Sequence, residues 1–494
     1  MKRIFALAAI LSALAAPGAA RAGGPSMLLG VAEDDGVRST TLVAAKAHVG
    51  LVRLLGFQAI RISAPWWRLS EPTGAELGVL GNTAKAAGLN GLPVFVAVYN
   101  PGSRWTPLTE EERDQFASYA ATIARRIPSL RNFIIGNEPN LNGSWMPQYN
   151  GDGSNAAAPA YLELLATTYD ALKRVSPRIR VIGGALSPRG QDKYPAPRHT
   201  HSPTTFIRDL GAAYRASGRM KPIMDEFAIH PYQDTSSQPP TTRHTVTRTI
   251  TIADYPKLVT LLGEAFDGTA QRGSSMPIVY GEYGVESRIP QAKAKHYQGK
   301  EPTTTKPVPE RTQASYYRQA LQIAFCQPTV RAMFLFHLYD EKSLPRWQSG
   351  LYYADRTPKP VVGRVRSAMR DVRGGVAARC AGLRLRVKAR AYFGRAAKLA
   401  RAQPIEFRVR CNIDCAYVAR VERLPGHATA LVARGRALGG VLKRTRFARR
   451  QLPPGRYRVA VSLIAPVNPG PPTVAASVPF RVALETNRAV RTVR

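Results

Sequence analysis

Between Met27 and Val372, short apolar runs alternate with stretches whose apolar residues recur every three or four positions. That alternation is the pattern of parallel β-strands joined by amphipathic helices. Eight runs fit it: Met27–Ala32, Ala59–Ser63, Val94–Tyr99, Asn132–Gly136, Val181–Ala185, Phe227–His230, Ile278–Gly281 and Met333–His337. Helical spacing fills intervals such as Glu111–Arg126, Tyr161–Val175, Gln313–Phe325 and Val361–Val372. Eight such units predict a closed (β/α)8 barrel, an α/β TIM barrel whose strand C-terminal ends carry the functional loops. Extra length rich in Pro, Thr and Gly falls after strand four (Leu141–Ala158), strand six (Gln233–Ile252) and strand seven (Ser287–Glu310). From about Leu383 the period becomes two, as in Ile405, Phe407, Val409 and Cys411 or Tyr457, Val459, Val461 and Leu463. Turn signals at Pro453-Pro454-Gly455 and Pro469-Gly470-Pro471 separate these runs. They predict a small C-terminal all-β sandwich of about seven strands, immunoglobulin- or fibronectin-III-like. The expected division is a barrel over 23–372, a linker over 373–382 and a sandwich over 383–494.

Composition adds compartment and partners. Lys2 and Arg3 precede an apolar run from Ile4 to Ala16 that leads to Ala20-Arg21-Ala22. This reads as a secretory signal peptide over 1–22, hence a secreted protein. The run is shorter than the ~20 apolar residues a membrane helix needs, and no later segment reaches that length, so no membrane span is expected. The formal charge of +37 raises the question of a nucleic-acid partner. Its distribution argues otherwise: residues 371–494 carry 26 Lys and Arg against 5 Asp and Glu (+21), and residues 1–370 carry 44 against 28 (+16). The tail's arginines (Arg384, Arg386, Arg408, Arg410, Arg456, Arg458) are spaced along strands without interleaved aromatics. A solvated outer sheet face is the plain reading; a face for an anionic polymer or for the cell envelope is the other. Four cysteines in an exported chain read as two disulfides. Cys326 ends helix seven and Cys380 lies just beyond helix eight, both at the bottom rim, so Cys326–Cys380 and Cys411–Cys415 are the expected pairs. Cys411 and Cys415 have no further ligands at zinc spacing, and no metal or other cofactor is implied.

Two acids stand where barrel chemistry is done. Glu138, in Gly136-Asn137-Glu138-Pro139-Asn140, follows strand four; Glu282, in Tyr280-Gly281-Glu282-Tyr283-Gly284, ends strand seven. Cleaving a glycosidic bond needs one carboxylic acid to protonate the leaving oxygen and a second carboxylate to attack, or to activate water, from the other face of the sugar. On these residues the segment Met27 to Val372 resembles clan A of the glycoside hydrolases, retaining (β/α)8 enzymes of the cellulase-like family 5 or family 39 kind. The resemblance implies that Glu138 is the acid/base and Glu282 the nucleophile in hydrolysis of a poly- or oligosaccharide. It implies that Arg61 holds the nucleophile ionised, that Asn137 contacts a sugar hydroxyl, and that His230 and Tyr232 match the His-x-Tyr pair near the nucleophile. Strand eight ends in Phe336-His337-Leu338, where many clan members place a tryptophan; Trp347 on the following loop is the expected replacement. Strand three ends in Tyr99-Asn100, where some of these families carry a histidine. Trp67, with Trp66 and Trp105, is expected on a top-face loop as a stacking platform or a loop anchor. Glu33, Asp34 and Asp35 follow strand one as candidate subsite acids, and Glu286 is the rival to Glu282. The alternative function is a non-catalytic secreted protein that binds carbohydrate or polyanions.

Overall fold

The computed structural model describes residues 26–373, apart from position 69, and in the tail residues 389–393, 398–399, 405–411, 415–437, 442–447, 452–464 and 473–482. Residues 1–25, on which the expected signal peptide falls, the 374–388 segment with Cys380, and the residues after 482 lie outside the described residues.

Eight parallel strands close into a barrel in sequence order: β1 (Leu28–Ala32), β2 (Ala59–Pro65), β3 (Val94–Tyr99), β4 (Asn132–Ile135), β5 (Arg180–Leu186), β6 (Glu226–Ile229), β7 (Ile278–Tyr283) and β8 (Val330–Phe336). Each is followed by a helix: α1 (Leu42–Leu55), α2 (Gly74–Leu89), α3 (Glu110–Arg126), α4 (Ala157–Val175), α5 (Pro203–Ala216), α6 (Tyr255–Phe266), α7 (Glu310–Phe325) and α8 (Val361–Arg373). The helix starts are written into the chain. Thr73 and Glu76, and Thr109 and Glu112, form reciprocal capping boxes at α2 and α3, and Ser202 accepts a hydrogen bond from the Thr205 amide ahead of Pro203 at α5.

Strand alternation sorts side chains into two cores. One set, including Val31, Ile62, Val96, Phe133, Val181 and Leu335, packs against the helices. The other fills the barrel interior with Ala59, Phe95, Ala97, Ile134, Ala228 and Phe334. Small and large residues must alternate there, and a Cβ on Gly30 would sit 2.4 Å from the Phe334 ring. The floor is polar: buried Glu226 takes Arg331 at 2.6 Å and Arg180 at 2.7 Å, and Arg331 also reaches Asn132 at 3.1 Å. Interior rows continue upward into the site, from Ala59 to Arg61 and Ser63 on β2 and from Ala228 to His230 after β6.

In the tail, a five-stranded sheet (order β10-β16-β15-β12-β13) faces a three-stranded one (β14-β11-β9). The strands are β9 (Ala389–Phe393), β10 (Lys398–Leu399), β11 (Glu406–Cys411), β12 (Cys415–Leu424), β13 (Ala428–Ala437), β14 (Leu442–Arg446), β15 (Gly455–Ile464) and β16 (Thr473–Val482). Phe407 and Val409 from one sheet share a core with Tyr417, Ala419, Tyr457, Val459 and Val461 from the other, so the expected sandwich is present with eight described strands in place of seven. Among the described residues no cysteine is a free thiol. Cys326 follows α7 as expected, but the partner named for it, Cys380, lies outside the described residues. The Cys411 and Cys415 side chains do too.

Candidate active site

The β4–α4 segment aims Glu138 by an unusual backbone. Gly136 and Glu138 have φ of +84° and +46°, and the Glu138 amide donates to Ala185 O at 2.9 Å, which pins the turn to β5. A left-handed conformation at a non-glycine residue costs about 1–3 kcal/mol and persists only where the surroundings over-determine it. Here they do: the Tyr161 hydroxyl donates to Ile135 O at 2.6 Å and accepts from the Gly184 amide, and Asn140 bonds Ser187 and His201 backbone atoms across the β4 and β5 ends.

Glu282, the fifth residue of β7, is the more enclosed carboxylate, 12% exposed against 22% for Glu138. The Arg61 guanidinium lies 2.9 Å from its Oε1, and the Tyr232 hydroxyl donates to its Oε2 at 3.0 Å. Burial pushes its carboxyl up, but the proximity of His230, Arg61 and His337 together with the Tyr232 hydrogen bond outweighs that and holds it below the usual carboxylate range. Burial, then the charges of Glu282 and Glu138, push the Tyr232 hydroxyl well up, so it remains a donor.

His230 ties the two acids together. It is fully buried, and its Nδ1 lies 3.1 Å from Glu138 Oε1 and 3.5 Å from Glu282 Oε2. The two distances together cap the separation of those oxygens at 6.6 Å. Gly281 makes room for the ring, since a Cβ there would lie 3.1 Å from His230 Nε2. Arg61 also donates to Asn137 Oδ1 at 3.4 Å, so β2, β4, β6 and β7 meet in one hydrogen-bonded cluster.

This cluster lies in a cavity of about 790 Å³ whose wall includes Arg61, Asn137, Glu138, Tyr232, Glu282 and Trp347. Trp347 stacks on Tyr232 (4.8 Å between centroids, 28° between planes) and meets Phe336 edge-on, so the loop after β8 does supply an indole at the mouth. Tyr99 and Phe336 also line the cavity, whereas Asn100 is occupied with Gly102 and Ser144 carbonyls. Glu33 and Asp34 line it opposite β5. Burial pushes the Glu33 carboxyl up to about 7, against His337 and the amides of Tyr339, Asp35 and Leu338 that it accepts from. Asp35 instead pairs with Arg356 at 3.2 Å.

Trp67 does not reach this wall. It is 47% exposed and rests edge-on against Trp105, because the preceding Trp66 is buried on Phe116 and turns the β2–α2 loop outward. Trp66 is therefore a loop anchor. Glu286 is also off the cavity wall, in the β7–α7 loop, where burial and Glu301 push its carboxyl up to about 7.

Sequence reasoning missed the loop between β5 and α5. It contributes Arg189, Gly190, Gln191, Arg198 and Thr200 to the cavity, and the β8–α8 loop adds His337 and Glu341 beside Trp347. The readable signal was length: residues 187–202 and 337–360 are as conspicuous as the three loops expected to be long. Among the described residues, no group of three or more His, Cys, Asp or Glu is placed to hold a metal ion, and no helix is long and apolar enough to cross a membrane.

Fold and site together define a (β/α)8 barrel with a carboxylate pair at its mouth. No protein-family model and no curated protein matches the chain. Among solved structures, the chain is similar to GH5_18 from Streptomyces cattleya in complex with GlcNAc (18% identity, TM-score 0.49, 71% of this chain and 81% of that one). It is also similar to a monomeric beta-xylosidase from Caulobacter crescentus CB15 (16%, 0.44, 87% and 96%). A third is a calcium-binding mutant of Bacteroides uniformis beta-glucuronidase 2 (12%, 0.45, 92% of this chain), of which the match spans only 45%. At such TM-scores the similarity carries no argument beyond the barrel observed directly.

Proposed function

We propose that the protein is a retaining glycoside hydrolase of the clan A kind, cleaving O-glycosidic bonds of a poly- or oligosaccharide. The observation that carries this is the pair of carboxylates joined through one imidazole. Retaining sites hold their carboxyl groups ~5–5.5 Å apart, whereas inverting sites need ~6.5–9.5 Å to admit a water. His230 holds one oxygen of each carboxylate against the same nitrogen, at most 6.6 Å from one another, which supports the retaining reading.

Glu282, ionised beside Arg61, attacks the anomeric carbon and forms a glycosyl-enzyme ester. Glu138, the more exposed of the two, gives its proton to the departing oxygen and then takes one from the water that releases the sugar. Tyr232 and Arg61 fix the nucleophile's two oxygens in place, and Asn137, held by Arg61, is presented to a sugar hydroxyl. Trp347 and Tyr232 offer the apolar platform on which a sugar ring stacks. The basic N-terminus, apolar run and small-residue site of residues 1–22 support export, and the arginine-rich tail supports retention at an anionic cell envelope.

The deciding measurement is NMR of the first-formed sugar. It should keep the anomeric configuration of the bond cut, and a slow fluorosugar should label Glu282. Inversion, or labelling of Glu286, would overturn the assignment.

A further inference from the structure

The cavity is electrically two-sided. Glu33 and Asp34 after β1 and Glu341 after β8 line one side, while Arg189 and Arg198 after β5 line the other. In an eight-stranded barrel closed in sequence order, β1 and β5 are diametrically opposed. Arg61, the remaining guanidinium on the wall, is already engaged by Glu282.

The arginine-bearing loop is built to hold its shape. Gly190 lies against the backbone of His201, where a Cβ would come 2.0 Å from the carbonyl oxygen, so only glycine fits. The Gln191 and Asp192 amides bond Thr200 at 2.9 Å each, and Leu141 bridges to Thr200 from the β4 loop. Arg189 is steadied by one bond, from Nη1 to Gln233 O at 2.9 Å, which leaves the rest of its fork unused. Asp192 is the one acid between residues 187 and 202, and it is spent elsewhere. Its Oδ1 accepts from the Ser202 amide and its Oδ2 from Arg248. Among the described residues Arg198 has neither a hydrogen bond nor an ion pair. Two guanidiniums without a countercharge thus stand on a fixed loop across from Asp34 and Glu341, the latter 3.5 Å from His337 and 3.7 Å from Arg346.

We propose that this wall is an anion subsite, and that the glycan bound in the cavity is acidic, turning a carboxylate or a sulfate toward Arg189 and Arg198. The planar donor fork of arginine suits either group. The acids on the opposite side disfavour the reverse orientation, so the charge fixes which way the chain lies in the cleft. The hydrolytic role of this glycan rests on the glycosidase reading, whereas its binding does not.

The test measures binding by calorimetry to the full chain carrying Glu138→Gln, so that hydrolysis is slow during the titration. The probes are short uronate-bearing and sulfated oligosaccharides, each beside its carboxyl-reduced or desulfated neutral counterpart. At least one acidic probe should bind tighter than its neutral counterpart by about tenfold or more, as charge-assisted hydrogen bonds give. Which arm shows the gain separates carboxylate from sulfate. Arg189→Gln with Arg198→Gln should erase the difference, and Arg198→Lys should retain part of it, which separates charge recognition from misfolding. The tail's own arginines are controlled by Arg444→Gln with Arg446→Gln, which should leave the difference in place. A set in which no acidic probe outbinds its neutral counterpart overturns the proposal, as does a preference that survives the cavity pair and disappears with the tail pair. Turnover of aryl glycosides by the unmodified chain reads the glycosidase assignment separately. An acid preference without turnover sinks that assignment alone, and turnover with no acid preference sinks the subsite alone.

Discussion

Glu138 and Glu282 are one side chain in two settings, and the proposed division of labour between them rests on the difference between the settings. Glu282 faces a guanidinium and a tyrosine hydroxyl; Glu138 is met by one imidazole nitrogen and opens to the cavity. Glu138→Gln should therefore cut turnover by about 10²–10⁴-fold on substrates with poor leaving groups, the usual worth of general acid catalysis. Activated aryl glycosides should lose much less in glycosylation. Equal loss on both, with glycosylation limiting each, would remove Glu138 from the acid role. Glu282 must be ionised to attack, and its carboxyl is held below the usual range, so activity should fall on the acid side only as pH drops through that depressed value. Arg61→Gln removes one of the groups that depress it, and the acid limb of the kcat/KM profile should move to higher pH. A limb that stays in place would mean that Arg61 packs the site without setting the ionisation of Glu282.

At the scale of elements, the strands were legible because a period-two interior and apolar runs report burial directly. All eight barrel strands overlap the expected runs, and Arg61, Glu138, His230 and Glu282 could be placed because strand ends define the mouth. Loop geometry was not legible. Nothing local in the sequence shows that the β2–α2 turn carries Trp67 outward, or that Gly190 docks on His201, since both depend on partners far along the chain. The β8–α8 loop that delivers Trp347 likewise rests on a pair that sequence alone does not match. Buried Lys359 lies 2.7 Å from Asp340 Oδ1, and Tyr297 donates to Oδ2 at 2.7 Å. Lys359→Met strands a buried carboxylate, so unfolding in denaturant should show a loss of about 3–5 kcal/mol, the usual cost of breaking a buried pair. Lys359→Met with Asp340→Asn should recover much of it. A single variant as stable as the parent would show that the pair is dispensable to the loop.

The whole molecule divides its apolar burial and its charge differently. Barrel and sandwich build separate cores from separate stretches of chain, while more than half of the +37 charge sits in the 124 residues from 371 onward. Among the described residues of the sandwich, Arg408 pairs in register with Arg444, both exposed, and exposed Arg446 stands across from Glu406. Only Arg458 is drawn into a close pair there, 2.6 Å from Glu422, among the described residues. Such a surface is screened within about 8–10 Å at ordinary ionic strength, so it acts on a polymer laid along it and adds little to a small ligand in the barrel mouth. Every cavity-lining residue lies between Ala32 and Trp347, upstream of the sandwich. A chain ending at Arg384, which keeps Cys380 for the bridge expected with Cys326, should therefore fold and hydrolyse small aryl glycosides with the kcat/KM of the full chain. Its retention on an anionic polymer should fall sharply and lose most of its dependence on salt. Steady-state kinetics and salt-gradient chromatography of the two proteins read the two halves of this expectation separately. A truncated chain that melts cooperatively yet turns over none of the substrates cut by the full chain would place part of the active site's support in the sandwich.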